Sequence, residues 1–286
     1  MNIAAVVILY HPDQQTVENI LSYRYYVDKI YIVDNSENAS MSIIGAIRNE
    51  VPKAVYIHES QNNGIAQRLN QVCKLAGEAG YNYILTMDQD SSFEETVIKN
   101  YFECFRGYPG KENVAMFGVQ YENPQWASDK CNASPWTTLI TSGSIVNLAL
   151  FEQIGGFDEN LFIDTVDFEY CYRSILKGFR IILFKNILLT HRLGITQFQT
   201  AGKTGKGSPV TLHSPVRLYY MLRNYLYLRS KYRKLFPAEM LQSRNAVLNR
   251  IKINLLHTTH RTELLRYIWR GVVDFKANRL GKYRKK

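Results

Sequence analysis

Ile3-Ala4-Ala5-Val6-Val7-Ile8-Leu9 is an apolar run without a polar interruption, and no other feature limits the fold so sharply. A strand with one wet face alternates apolar with polar residues. An unbroken run belongs to a strand covered on both faces, as in a parallel sheet flanked by helices. His11-Pro12-Asp13 ends the run, and 16–25 reads as a helix. The alternation then repeats. Strands are expected at 29–33, 54–57, 83–87 and 114–119, with a helix carrying Ile65, Leu69, Val72, Cys73 and Ala76 on one face and another at 97–105. This order predicts an α/β fold, a three-layer α/β/α domain with a mostly parallel central sheet.

The remainder is less regular. Residues 120–138 read as an excursion without periodicity, Leu148–Ile154 and Val166–Leu176 as short helices, and 180–184 as a late strand. Four glycines within 194–208 predict a mobile loop. After Pro215 the pattern changes to long helices near 216–234 and 239–274, so a domain at 1–213 and a helical basic region at 214–286 are expected.

Charge follows the same division. The net charge of +10 divides into +15 for residues 209–286, where only Glu239, Glu263 and Asp274 oppose 18 basic residues, and −5 for the rest. Such asymmetry points to an anionic partner for the tail, with solvation of long helices as the plainer account. Cys73, Cys104, Cys131 and Cys171 form no Cys-x-x-Cys pair, so neither a zinc site nor a disulfide framework is expected. The amino terminus lacks the pattern of a signal peptide, and no apolar stretch reaches the ~18 residues of a membrane span. The expected home is a reducing cytoplasm.

Chemistry concentrates at Asp88-Gln89-Asp90, where the 83–87 strand ends. Side chains two apart on extended backbone share a face, so both carboxylates can address one target. Hard oxygen donors at the carboxyl end of a strand suit a divalent cation with open positions for phosphate. The alternative is a solvated acidic turn leading into the next helix, since Ser91 and Ser92 precede Glu94 and Glu95.

Four segments carry a resemblance: Val33-Asp34-Asn35-Ser36, then Asn62-Asn63-Gly64-Ile65-Ala66-Gln67-Arg68-Leu69-Asn70, then Met87-Asp88-Gln89-Asp90-Ser91. The fourth joins Thr141-Ser142-Gly143-Ser144, Gly155-Gly156-Phe157-Asp158, Asp164-Thr165-Val166-Asp167-Phe168-Glu169 and Arg173. In order and spacing they resemble glycosyltransferase family 2, inverting enzymes of GT-A fold, and especially its rhamnosyltransferase-like branch, over roughly residues 1–230.

The resemblance implies roles. Asp34 would accept a hydrogen bond from the donor's pyrimidine base, or else shape a turn. Asn63, Gly64, Arg68 and Asn70 would line the nucleotide diphosphate, with Arg68 as a charge partner or a solvated surface residue. Asp90 would hold Mg²⁺ or Mn²⁺, with Asp88 toward the ribose or sugar and His191 as a third metal or phosphate contact. Asp167 would be the general base, with Glu169 or Asp164 as alternatives; Val166 stands where the wider family has a Glu. Nearby negative charges would raise the base's pKa toward working pH; acids decorating a helix amino terminus are the plainer reading. Acceptor contacts are expected at Ser142, Gly143 and Trp136, and Arg223 would reach the diphosphate or be structural.

The expected reaction is inverting transfer of a sugar from a nucleotide-sugar donor to a polysaccharide or lipid-linked saccharide acceptor, foremost L-rhamnose from dTDP-L-rhamnose. A UDP-galactose or UDP-glucose transferase is the near alternative. A nucleotidyltransferase normally has a Gly-rich basic loop where this chain has Tyr10-His11-Pro12-Asp13. The tail lacks a recognised nucleic-acid motif, so no nucleic acid is expected as partner. In its later part Arg261, Arg266, Arg270, Lys276, Arg279, Lys282, Arg284, Lys285 and Lys286 interleave with Leu264, Leu265, Ile268, Trp269 and Val272. That pattern implies peripheral attachment to an anionic membrane surface on the inner face. Homo-oligomer formation is left open.

Overall fold

The structure is a computed structural model that describes residues 2–191, 196–198 and 209–284, with side chains for 2–191 and 212–284. Apart from 196–198, the loop expected at 194–208 lies outside the described residues, as do Lys285 and Lys286. The chain forms two compact units, Met1–Phe162 with Val166–Arg192, and Ile163–Thr165 with Leu193–Lys286.

The first unit opens with β1 (Ile3–Leu9), α1 (Gln14–Leu21), β2 (Lys29–Asp34), α2 (Met41–Glu50), β3 (Ala54–His58), α3 (Ile65–Glu78), β4 (Tyr83–Asp88) and β5 (Ser91–Ser92). It continues with α4 (Glu95–Gly107), β6 (Val114–Gln120), β7 (Ala133–Pro135), β8 (Ser144–Asn147), α5 (Leu148–Ile154), α6 (Val166–Leu176), β9 (Arg180–Leu188) and β10 (Thr190–His191). Eight strands build the main sheet in the order β3-β2-β1-β4-β8-β6-β9-β7. Pairing is parallel except that β8 opposes both its neighbours and β7 opposes β9. The mostly parallel three-layer architecture read from the sequence is the architecture found.

The unbroken run in β1 has the expected cause. Ile3, Ala5, Val7 and Leu9 pack with Val17 and Ile20 of α1 and with Ile98, Tyr101 and Phe102 of α4. Ala4 and Val6, which point the other way, are just as buried, and α3 packs on β1. Helix starts follow local chemistry. Asp13 and Thr16 form a reciprocal capping box at α1, and the Asn147 side chain accepts from the amides of Ala149 and Leu150 at α5. The helix α2, for which the sequence reading made no provision, buries Ile43, Ile44 and Ile47.

One expectation is overturned. Cys104 and Cys131, 27 residues apart, are joined in a disulfide with Cα atoms 5.5 Å apart, while Cys73 and Cys171 are free and buried. The bond ties α4 to the 120–138 excursion, a proximity created by packing that spacing along the chain does not reveal. It also runs against the cysteine argument for a reducing compartment.

The second unit holds β11 (Thr196–Phe198), paired antiparallel with β12 (Pro209–Thr211), then α7 (Pro215–Tyr232), α8 (Pro237–His257) and α9 (Arg261–Lys276). The single helix expected at 239–274 is two, because the chain leaves the helix at Thr258 and the Thr258 hydroxyl accepts from the amide of His260. Leu218 and Met221 of α7 meet Leu264 and Ile268 of α9 and Val247, Ile251 and Leu255 of α8. Gly271 lets α9 approach α7 closely: a Cβ there would lie 3.2 Å from the Tyr219 carbonyl oxygen. Among the described residues no helix is long and apolar enough to cross a membrane.

Candidate active site

Four parallel strands end level with one another. Leu9 at the end of β1 pairs with Asp34 of β2, its neighbour Ile8 pairs with Asp88 of β4, and Asp34 in turn pairs with His58 of β3. Backbone register alone therefore brings Asp34 and Asp88 to the same carboxyl edge, where α/β sheets bind ligands.

Beyond that edge the acidic loop is held from several sides. Gln89 exchanges two hydrogen bonds with the Tyr10 backbone, at 2.7 and 3.1 Å, and its carbonyl accepts from Asn19. β5 pairs with β10, setting Ser91 opposite His191. A buried relay follows: the Ser142 hydroxyl accepts from the Asp88 amide at 3.2 Å and donates to Ser91 Oγ at 2.8 Å. Ser91 Oγ lies 2.6 Å from His191 Nδ1.

Asp88, Asp90 and His191 each offer a ligand atom within 4.8 Å of the others. Asp90 Oδ1 is itself buried without a hydrogen-bond partner, and His191 Nδ1 stands 3.5 Å away, too far for a hydrogen bond. A buried carboxylate oxygen with no donor is what a divalent cation would satisfy, and two carboxylates with one imidazole are a fitting donor set. The contact from Ser91 Oγ to Nδ1 fixes the His191 ring beside Asp90.

Other residues expected at the ligand have hydrogen-bond partners within the protein. Asp34 is fully buried, accepting from the Ser36 amide at 2.9 Å and the Tyr56 hydroxyl at 2.6 Å. Arg68 is 1% exposed rather than solvated or open to a diphosphate, and its guanidinium serves Asn35, Gln71, the Gln61 carbonyl and Glu59. Buried, it completes a polar network that shapes the loop before α3. Asn63 joins that network through Asn35 and Glu59. Asn70 braces the Gly-Gly-Phe-Asp turn through the backbone of Phe157 and through Glu159. Gly64 is obligatory: its φ is +81°, and a Cβ would sit 2.5 Å from the Phe162 ring.

Ser142 and Gly143, expected at the acceptor, lie beneath the acidic loop, Ser142 in the relay and Gly143 at φ +75° against Val119. Trp136 is 41% exposed, but its amide bonds Ile181 near the start of β9, at the end of the sheet opposite the acidic loop. Arg223, in the helical unit, is fully buried and donates to Gly281, Tyr219 and Asn224. Asp164, in the same unit, bonds Arg217 at 2.8 Å; burial pushes its carboxyl up and Arg217 opposes the shift.

Asp167 and Glu169 open α6 and diverge. Glu169 is fully buried and clamped by Arg173, which also donates to the Ile154 and Gly156 carbonyls. Asp167 is half-buried, its Oδ1 accepting from the Phe168 amide. Just before them, Phe162, Asp164 and Thr165 all have φ between +58° and +67°. For a β-branched threonine this is a real outlier, and such strain concentrates where function requires a fixed backbone. Tyr56 and Phe162 escaped the sequence reading, and Ser91 entered it only as part of the acidic segment and its turn.

Residues 14–130 match the model for glycosyl transferase family 2. A dTDP-rhamnosyl transferase of Shigella flexneri, RfbF, is 27% identical over 284 residues, covering 92% of this chain and 90% of that protein. Over residues 14–130 the chain is thus similar to glycosyltransferase family 2. Its likeness is to the rhamnosyltransferase-like branch, and the enzyme is a glycosyltransferase. Solved structures agree on the GT-A-like fold. The mannosyltransferase PcManGT of Pyrobaculum calidifontis, in complex with GDP-Man and Mn²⁺, superposes with TM-score 0.57 at 12% identity over 96% of this chain and 75% of its own. S. aureus TarS superposes with TM-score 0.58 at 16% identity, and the glycosyltransferase, 96% covered, spans 48% of that chain.

Proposed function

We propose that this glycosyltransferase transfers L-rhamnose from dTDP-L-rhamnose, with inversion, to a hydroxyl of a surface-polysaccharide or lipid-linked saccharide. The observation that carries the reading is the Asp88, Asp90 and His191 group beyond the level ends of β1, β2 and β4. The rhamnosyl donor is supported by likeness to a dTDP-rhamnosyl transferase across nearly the whole chain.

Asp88, Asp90 and His191 hold Mg²⁺ or Mn²⁺ in this reading; such a cation supplies Lewis-acid neutralisation of charge on the leaving diphosphate. Asp167 takes the proton of the acceptor hydroxyl as its oxygen attacks the anomeric carbon and the bond to the diphosphate breaks. The partly open Asp167 suits that role better than Glu169, whose charge is committed to Arg173. One displacement with no enzyme nucleophile inverts the configuration.

The helical region contributes attachment to an anionic membrane surface. Leu241, Leu248, Leu256, Leu265 and Trp269 are exposed among basic residues of α8 and α9, a composition suited to an anionic interface. Co-sedimentation with phosphatidylglycerol vesicles but not phosphatidylcholine vesicles supports this.

The test of the reaction presents dTDP-L-rhamnose, UDP-glucose, UDP-galactose and GDP-mannose with Mn²⁺ or Mg²⁺. Metal-dependent hydrolysis and thermal stabilisation by the dTDP-sugar above the others is expected; equal response to UDP-hexoses sinks the donor assignment. Asp167→Asn lowers turnover by about 10²–10⁴-fold without weakening donor binding, and unchanged turnover removes Asp167 as base.

A further inference from the structure

Of the large apolar side chains left exposed in the α/β unit, two are tryptophans on the same excursion. Trp126 and Trp136 are 38% and 41% exposed. Lys185 of β9 stands between them, its ammonium 5.8 Å from one ring centroid and 5.4 Å from the other. The rings are thus gathered around one cation on the outer edge of the sheet.

The excursion that carries them is strapped down. The Cys104–Cys131 disulfide ties it to α4, and the Asn100 side chain donates to the Ser128 carbonyl. Asn186 accepts from the Asn132 amide and donates to the Ser128 carbonyl. Pairing of β7 with β9 fixes the segment that leads into Trp136. Rigid aromatic rings bind at low entropic cost.

The setting selects the occupant. A protein strand adding to this edge would need free amides, and Pro135 removes one. The surrounding Gln125, Ser128, Asp129, Lys130 and Asn132 are all exposed and polar, whereas a protein interface needs a larger apolar centre. A sugar chain fits both features. Its rings offer patches of weakly positive C–H to the negative face of an indole, and its hydroxyls meet polar groups between the rings.

We propose that Trp126, Lys185 and Trp136 form a platform that binds the saccharide chain of the acceptor away from the reacting end. The inference rests on the glycosyl-transfer reading and specifies that the acceptor is an extended oligosaccharide. β9, which carries Lys185, leads through Leu189 into β10, which carries His191, and an irregularity in register between Phe184 and Leu188 shortens the path between them. A chain lying along this strand can reach from the platform to the acidic loop.

The indole N–H signals of the ¹⁵N-labelled full chain provide the test, with Trp269 of α9 as an internal control. On titration with L-rhamnose oligosaccharides from mono- to hexasaccharide, the Trp126 and Trp136 signals should shift with the longer chains while Trp269 stays. No shift with any chain, or an equal shift of Trp269, overturns the platform. Kinetics give a second arm. The double variant Trp126→Ala, Trp136→Ala should raise KM for the longer acceptors about 10-fold or more, with kcat and donor KM unchanged. Equal KM values for wild type and variant overturn it. Indole shifts in an enzyme that rejects dTDP-L-rhamnose would leave the platform standing and remove only the donor assignment.

Discussion

Two aspartates show how differently the two regions treat charge. Asp274, in the helical unit, is buried, and its oxygens accept from Arg270 and Arg279 at 2.8 Å each and from Tyr219 at 3.0 Å. Asp90, beyond the sheet, has one buried oxygen without any hydrogen-bond donor. Burial alone would push the Asp274 carboxyl up; the bonds from Arg270, Arg279 and Tyr219 outweigh it and hold the carboxyl below its ordinary range. A fully matched carboxylate contributes to folding, whereas an unmatched one beside a second carboxylate and an imidazole is an arrangement that a cation would satisfy.

The contrast can be broken most directly at Asp90. Asp90→Ala should reduce sugar transfer by about 10³-fold or more and abolish Mn²⁺ binding by calorimetry, with the melting temperature nearly unchanged. Retained metal-dependent turnover would make Asp90 a mere turn residue. Asp274→Ala should do the reverse. Leaving Arg270, Arg279 and Tyr219 without their shared acceptor should cost about 2–4 kcal/mol in urea unfolding, and activity of the remaining folded enzyme should persist.

A smaller effect sharpens the picture of the relay. Ser142→Ala removes the link between the Asp88 amide and Ser91 and should weaken Mn²⁺ binding about 10-fold or more. Donor binding measured without metal should not move. If both fall together, Ser142 supports the nucleotide site as a whole.

The smallest effect concerns pH in the helical unit. Burial, reinforced by Arg250 and Arg217, lowers the His213 pKa to about 4 from 6.5. The unfolded chain therefore takes up this proton at higher pH than the folded one, and stability should fall as pH drops from about 6.5 toward 4. His213→Gln should flatten that part of the urea-midpoint profile, and an unaltered slope would assign it to other groups.

Much of this was legible beforehand because it depends on short-range pattern. The β1 run reports burial on both faces, and strand polarity puts Asp34 and Asp88 at one edge once the sheet is parallel. The Asp88 and Asp90 carboxylates could be placed beyond β4 from the sequence, although the chain turns at Gln89 and Asp90 instead of staying extended as expected. The roles of Arg68, Asn70 and Ser142 were not. Whether an arginine faces a ligand or closes an internal network depends on Asn35, Gln61 and Glu59, and nothing in local sequence places those around it.

The amino-acid order by itself thus determined the layers, the level strand ends and the pair of carboxylates there, since each follows from periodicity and backbone direction. Tertiary packing decided which polar groups remain unsatisfied, which cysteines meet and which tryptophans share an edge. Those outcomes depend on distances between segments far apart in the chain, and burial and pairing are settled only when the segments assemble.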